Sequence, residues 1–118
     1  MTNLFRDQEK FMRACDQSVT GDQAQFDMYM DLIDEEYKEL KDANDDVETL
    51  DALIDILVVT IGAIHSAGFD GEGAWKEVMM TNFAKIDRDT GRVRKREDGK
   101  VLKPVGWTAP DLNPFLKK

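Results

Sequence analysis

Apolar residues recur at three- and four-residue spacings along the first 85 positions, the period of helices that bury one face. Leu4, Phe5, Phe11, Met12 and Cys15 mark a first helix from about Asn3 to Ser18. The VTGDQ stretch breaks it, and Asp22 is placed to cap the next helix. That second helix runs from about Gln23 to Ala43 on a seam of Phe26, Tyr29, Met30, Ile33, Tyr37 and Leu40. Asn44 to Asp46 end it and cap a third helix, about Val47 to Ala67, with Gly68 as its stop signal. Asp70 caps a fourth, which carries Ala74, Trp75, Val78, Met79 and Phe83 and ends near Lys85.

The third helix differs from the others. LDALIDILVVTIGAI (Leu50 to Ile64) is apolar nearly all round, and such a helix needs cover on every side. The short link makes helices two and three antiparallel neighbours. One chain of 118 residues has little left to cover the remaining sides, so a homodimer or homotetramer is expected. Beyond Lys85 the pattern changes. All three prolines fall here, and DTG and EDG turns flank the short run RVRKR. The expected architecture is all-α. A four-helix bundle covers residues 1–85, and an extended or hairpin-like C-terminal tail, 86–118, packs Trp107 onto the bundle or a neighbouring subunit.

The length is that of one domain. A net charge of −8 argues against direct nucleic-acid binding, which rests on Lys and Arg contacts to phosphate. It permits a phosphate-bearing small substrate if divalent cations screen the acids. Cys15 is the single cysteine, so no intrachain disulfide forms; this fits a reducing cytoplasm. The start MTNLFRDQEK is too polar for a signal peptide, and the longest apolar run, Ile54 to Ile64, is too short to cross a bilayer. A cytoplasmic location with no membrane partner is expected, the host cytoplasm if the gene belongs to a phage.

Charge within the helices then changes the picture. DLIDEEYKEL (Asp31 to Leu40) holds five acids in ten residues, and the apolar third helix still carries Asp51 and Asp55. At about 100° per residue, Glu36 lies at the edge of the Ile33, Tyr37 and Leu40 seam, flanked by Glu35 and Glu39. Glu48, Asp51 and Asp55 fall within about 60° of one another on the third helix. A bare carboxylate costs several kcal/mol to bury, and facing carboxylates push one another toward protonation. Lys38 and Lys41 are the cations these two helices offer, and neither is on the inner seam. Hard oxygen donors with no cysteine and one distant His65 favour Mg²⁺ or Mn²⁺ over zinc. Taken alone, EExxE is usually a solvated face; the combination on consecutive helices is what points to a metal site. A calcium loop at Asp87 to Asp98 fails, because Arg92 stands where the turn glycine belongs and Asp98 replaces the final glutamate.

EEYKEL, then LDALIDILVVTIGAIHSAGFD, then WKEVMMTNFAK resemble the all-α nucleoside triphosphate pyrophosphohydrolases, a superfamily that includes MazG-like enzymes and phosphoribosyl-ATP pyrophosphohydrolase. The tail GKVLKPVGWTAPDL is similar to that of short members common in phages and bacteria. The resemblance covers roughly residues 26 to 112. It implies that EExxE, here Glu35, Glu36 and Glu39, binds the magnesium ions that hold a triphosphate. The family's ExxD is altered: Asp55 takes the Asp position, but Ala52 stands at the Glu position. Asp51, one turn before Asp55, is the expected substitute, with Glu48 as the weaker candidate. Asn82 and Lys85 match the family's substrate-binding pair; Lys85 would contact phosphate, and Asn82 the nucleotide or a water on the metal.

The implied reaction is hydrolysis between the α and β phosphates, giving a nucleoside monophosphate and pyrophosphate. Glu36 or Glu39 would position or deprotonate the attacking water. A role on the deoxynucleotide pool is implied, with dGTP, dCTP or dUTP as substrates. The alternatives are phosphoribosyl-ATP as substrate, and a helical interaction protein without activity. No protein nucleophile is required, so Cys15 and His65 are read as core or surface residues.

Overall fold

The computed structural model describes residues 2–118. It contains four α-helices, α1 (Leu4–Ala14), α2 (Gln23–Asp42), α3 (Asp46–Ser66) and α4 (Gly71–Phe83), and a short 3₁₀ turn, Asn113–Phe115. No β-strand occurs among the described residues; two isolated antiparallel bridges do. The chain divides into two compact units, residues 1–71 with 115–118, and residues 72–114.

In the first unit each helix start follows from its cap. The side chains of Asn3, Asp22 and Asp45 accept the backbone N–H of Arg6, Gln25 and Glu48, satisfying donors that have no partner inside the helix. Glu48 reaches back so that its Oε2 accepts the N–H of Asn44, at 2.8 Å. Helix α1 stops at Ala14, four residues earlier than its apolar spacing suggests. Asp16 adopts φ +59, Asp16 N–H donates to Arg13 O, and Gln17 N–H donates to Met12 O. This Schellman turn usually has glycine at its left-handed position, and aspartate there hides the stop from a reader of the sequence. Helix α3 ends the same way around Gly68 (φ +78), as expected; a Cβ there would also lie 2.5 Å from the carbonyl oxygen of Thr20.

The core is small and lies where α1 and α2 meet the C-terminal half of α3: Met12, Val19, Tyr29, Val59 and Ala63, with Phe26, Leu32 and Ile33 against them. Gly62 is the point of closest approach, because a Cβ on it would collide with the Tyr29 ring. Two positions of the expected α2 seam, Met30 and Tyr37, are exposed, and Leu32 takes part in the packing instead. On α1, Leu4 and Phe11 are exposed, as is Cys15 just after it, whereas Gln8 is buried beside Met12. Within one chain α3 is not covered on every side: Leu50, Leu53, Ile54 and Leu57 are exposed.

Polar atoms in this core are matched. Gln25 Nε2 donates to Ser18 O and Ser66 Oγ, and Ser66 Oγ donates to Gly62 O. Tyr29 Oη donates to Gln17 Oε1 at 2.6 Å. His65 is a core residue; its Nε2 lies 2.8 Å from Phe5 O and its Nδ1 lies 2.9 Å from Lys118 Nζ. The ammonium can only donate, so Nδ1 accepts and Nε2–H donates to Phe5. Lys118 Nζ also donates to Val19 O and pairs with Glu9.

In the second unit the segment after α4 turns back twice. The bridges Ile86–Val93 and Lys95–Val101 close over the DTG and EDG turns, where Asp87 and Asp98 side chains accept backbone N–H groups. Trp107 Nε1–H donates to Thr81 O at 2.7 Å, which fixes the indole against α4.

Candidate active site

The carboxylates that the α2 and α3 patterns single out have different surroundings. Glu35 and Glu39 are exposed, as is Asp51; Glu36 and Asp55 are half-buried. Glu36 Oε2 is closed off from solvent and has no hydrogen-bond partner, the one such side-chain oxygen or nitrogen among the described residues. An orphaned buried carboxylate oxygen is costly and calls for an explanation.

The four acids Glu36, Glu39, Asp51 and Asp55 act on one another. Burial raises the Glu36 carboxyl above its ordinary value; Glu39, as acceptor for its proton, and the negative charges of Glu39, Asp55 and Asp51 add to this. Burial likewise raises Asp55, helped by Asp51 and Glu39. None of the ion pairs found among the described residues reaches this group; they join Arg13 and Lys118 to Glu9, and Arg96 to Asp98. Of the two lysines on α2, Lys38 is in none of these ion pairs and Lys41 lies over the Tyr37 ring, 4.6 Å from its centroid. The uncompensated charge is therefore a property of the fold.

A cleft of about 280 Å³ opens beside the group, lined by Glu39, Asp42, Glu48, Asp51 and Ala52. Asp42 was not among the residues singled out from the sequence. Its signal was its place three residues after Glu39, one turn on along the same face. Glu48 lines the cleft while its carboxylate accepts the N–H of Asn44 in the link before α3, so it has a structural task that Asp51 does not. Ala52, at the altered position of the ExxD pattern, is buried and supplies no donor.

The donor set suits a hard divalent cation: oxygen ligands only, mutual repulsion that a cation would relieve, and one buried oxygen in need of a partner. Among the described residues, no three His, Cys, Asp or Glu side chains converge closely enough to hold an ion as they stand. Glu39 and Asp51 are exposed, and rotation of their side chains is what would gather the donors.

Asn82 and Lys85 belong to the second unit. Lys85 Nζ donates to Asn82 Oδ1 at 3.1 Å and lies 4.9 Å from the centroid of Trp107. Among the described residues no helix is long and apolar enough to cross a membrane.

A search of curated proteins finds no match. A family model, phosphoribosyl-ATP pyrophosphohydrolase, matches residues 8–82. The match takes in more than half of the chain, from within α1 through the acids of α2 and α3 to Asn82, and stops short of Lys85 and the tail. Its all-helical architecture and its acid-bearing helices agree with that match. The chain belongs to the phosphoribosyl-ATP pyrophosphohydrolase family, within the all-helical, MazG-like nucleoside triphosphate pyrophosphohydrolases.

Proposed function

We propose that the protein is a Mg²⁺-dependent pyrophosphohydrolase that cleaves the α–β phosphoanhydride of a nucleoside triphosphate, with deoxynucleotides such as dGTP, dCTP or dUTP as its substrates. The observation that carries this reading is the orphaned oxygen of Glu36 within a group of acids that no cationic side chain offsets. Glu36, Glu39, Asp51 and Asp55 would hold the ion, with Glu35 as the outer member of EExxE. Mn²⁺ has the same preference for oxygen donors and would substitute. When bound, the ion offsets phosphate charge and makes a water more acidic.

The chain's own residues then do the rest. In the metal-free protein burial and negative neighbours raise the Glu36 carboxyl; with the ion in place, a Glu36 or Glu39 oxygen that the ion leaves free would position or deprotonate the attacking water. Glu39, whose charge acts on Glu36, would orient it or exchange roles with it. Asn82 and Lys85 would bind the substrate, Lys85 as a point charge on phosphate. The tail GKVLKPVGWTAPDL, similar to that of short phage and bacterial members, supports the deoxynucleotide reading. Phosphoribosyl-ATP is the second reading, favoured by the description of the matching family; the same bond would break.

A second copy of the chain is the partner we propose for the exposed apolar residues of α3, giving a homodimer or homotetramer. Light scattering should then give a mass of two or four chains, and a single-chain mass would remove this part of the proposal. The substrate test is ³¹P NMR of the products from eight ribo- and deoxynucleoside triphosphates and phosphoribosyl-ATP, with Mg²⁺ or with a chelator. Metal-dependent appearance of a monophosphate with pyrophosphate from one deoxynucleotide is the expected result. Release of inorganic phosphate alone, or no product from any of them, would contradict it.

A further inference from the structure

The tail has a charge balance opposite to that of the whole chain. Residues 86–114 hold seven Lys and Arg against five Asp and Glu, in a protein whose net charge is −8. Two ammonium groups of the second unit share one aromatic ring. Lys85 Nζ lies 4.9 Å and Lys103 Nζ 5.0 Å from the centroid of Trp107. Among the described residues neither is paired with a carboxylate, although the sequence is rich in acids. The two cations can be no more than about 10 Å apart and repel each other; the ring's π face offsets part of this.

The ring itself is held in place. Its Nε1–H donates to Thr81 O, and Thr81 is buried. The backbone turns tightly before it, with Trp107 N–H donating to Pro104 O at 3.1 Å. Gly106 makes this turn possible with φ +79, a conformation that side chains disfavour. Beside the indole is a hollow of about 380 Å³, lined by Thr81, Ala84, Pro104, Gly106, Trp107 and Thr108 among others. That volume lies within the range of roughly 300–1,000 Å³ usual for small-molecule sites. A fixed aromatic wall, two ammonium groups with no carboxylate partner and a hollow of this size suit a ligand with a planar apolar part and a polyanionic part.

We infer that Lys103 and Trp107 of the tail join Lys85 in a nucleotide-binding subsite, the ammonium groups taking polyphosphate and the hollow beside Trp107 taking the base. This rests on the nucleoside triphosphate reading above and extends it to the tail, which the family match does not cover. Lys103 and Trp107 are binding residues here, not participants in the bond-breaking step.

The test uses the full chain carrying Trp75→Phe, which leaves Trp107 as its one indole. The probes are the uncleavable α,β-methylene analogue of dGTP and inorganic tripolyphosphate, both with chelator present. The nucleotide should change Trp107 emission saturably, and tripolyphosphate should compete. Lys103→Ala should weaken both by at least about tenfold, whereas Lys103→Arg should stay within about threefold. Lys103 is exposed, so circular dichroism should be unchanged. In turnover assays Lys103→Ala should raise KM at least about tenfold with kcat within about threefold. Unaltered probe binding by Lys103→Ala, or no response of Trp107 to either probe, would overturn the subsite. Lys103-dependent binding without turnover of any triphosphate would keep the subsite and remove the catalytic reading. Turnover indifferent to Lys103, with binding also indifferent, would do the reverse.

Discussion

The two halves of α3 look alike in the sequence and differ in the fold. In the C-terminal half, Val59, Ile61, Ala63, His65 and Ser66 are buried, Ser66 completely. In the N-terminal half, Leu50 is 62% and Leu53 45% exposed, and Asp51 and Asp55 interrupt the apolar run. The difference extends to polar groups. Ser66 and His65 have their hydrogen-bonding atoms matched, whereas across from Asp55 one oxygen of Glu36 has no partner. A half-helix that satisfies every buried group is built for stability. One that leaves charge uncompensated gives up stability for something that binds there.

This comparison can be broken at several points. The largest effect should come from Glu36→Gln or Asp55→Asn, each lowering turnover by at least about a thousandfold, or about 4 kcal/mol of barrier. Initial-rate assays check this. Both variants should be at least as stable as the parent when metal-free, because they relieve repulsion. The matching change in the other half is Gly62→Ala. Its Cβ would strike the Tyr29 ring, and overpacking of this kind costs about 1–3 kcal/mol, read as a lower urea midpoint.

The pH dependence of the metal-free protein sharpens the contrast, because the two halves respond in opposite senses. Glu36 and Asp55 are raised by burial and negative neighbours, so the folded state holds their protons more tightly than the unfolded state does. Their contribution is fully present below the ordinary carboxylate range and lost as pH rises through the raised values. The stability advantage of Glu36→Gln over the parent should therefore vanish in acid. His65 is held below its ordinary value, chiefly by burial, so the unfolded state takes its proton first on acidification. Its contribution is present above the ordinary histidine pKa and lost as pH falls from there through the lowered folded value. Urea titrations of the parent and of Glu36→Gln across acid to neutral pH separate the two. The smallest effect should be at Cys15, exposed and outside both regions. Cys15→Ser should change stability by less than about 0.5 kcal/mol and leave turnover unaltered.

Much of this was legible in the sequence, for reasons that can be traced to particular residues. Asp22, Asp45 and Gly68 mark helix ends by their own backbone chemistry, which needs no tertiary context. The i, i+3 and i, i+4 spacing put Glu36, Glu39, Asp51 and Asp55 on facing helices. Other features depend on partners far along the chain. Asp16 ending α1, Leu32 displacing Met30 and Tyr37 from the packed side, and the exposure of Leu50 to Leu57 are set by what α1, α2 and α3 leave uncovered. The convergence of Lys85 and Lys103 on Trp107 could not be read at all, because a turn at Gly106 creates it.

The most direct test of the central claim is thermal unfolding of the parent and of Glu36→Gln, each with chelator and with saturating Mg²⁺. Metal-free Glu36→Gln should melt at or above the parent, and Mg²⁺ should raise the parent by more than the variant. At a hundredfold excess over Kd that gain is worth about 2.7 kcal/mol. If metal-free Glu36→Gln melts below the parent and Mg²⁺ moves neither, the acids of α2 and α3 are not a cation site.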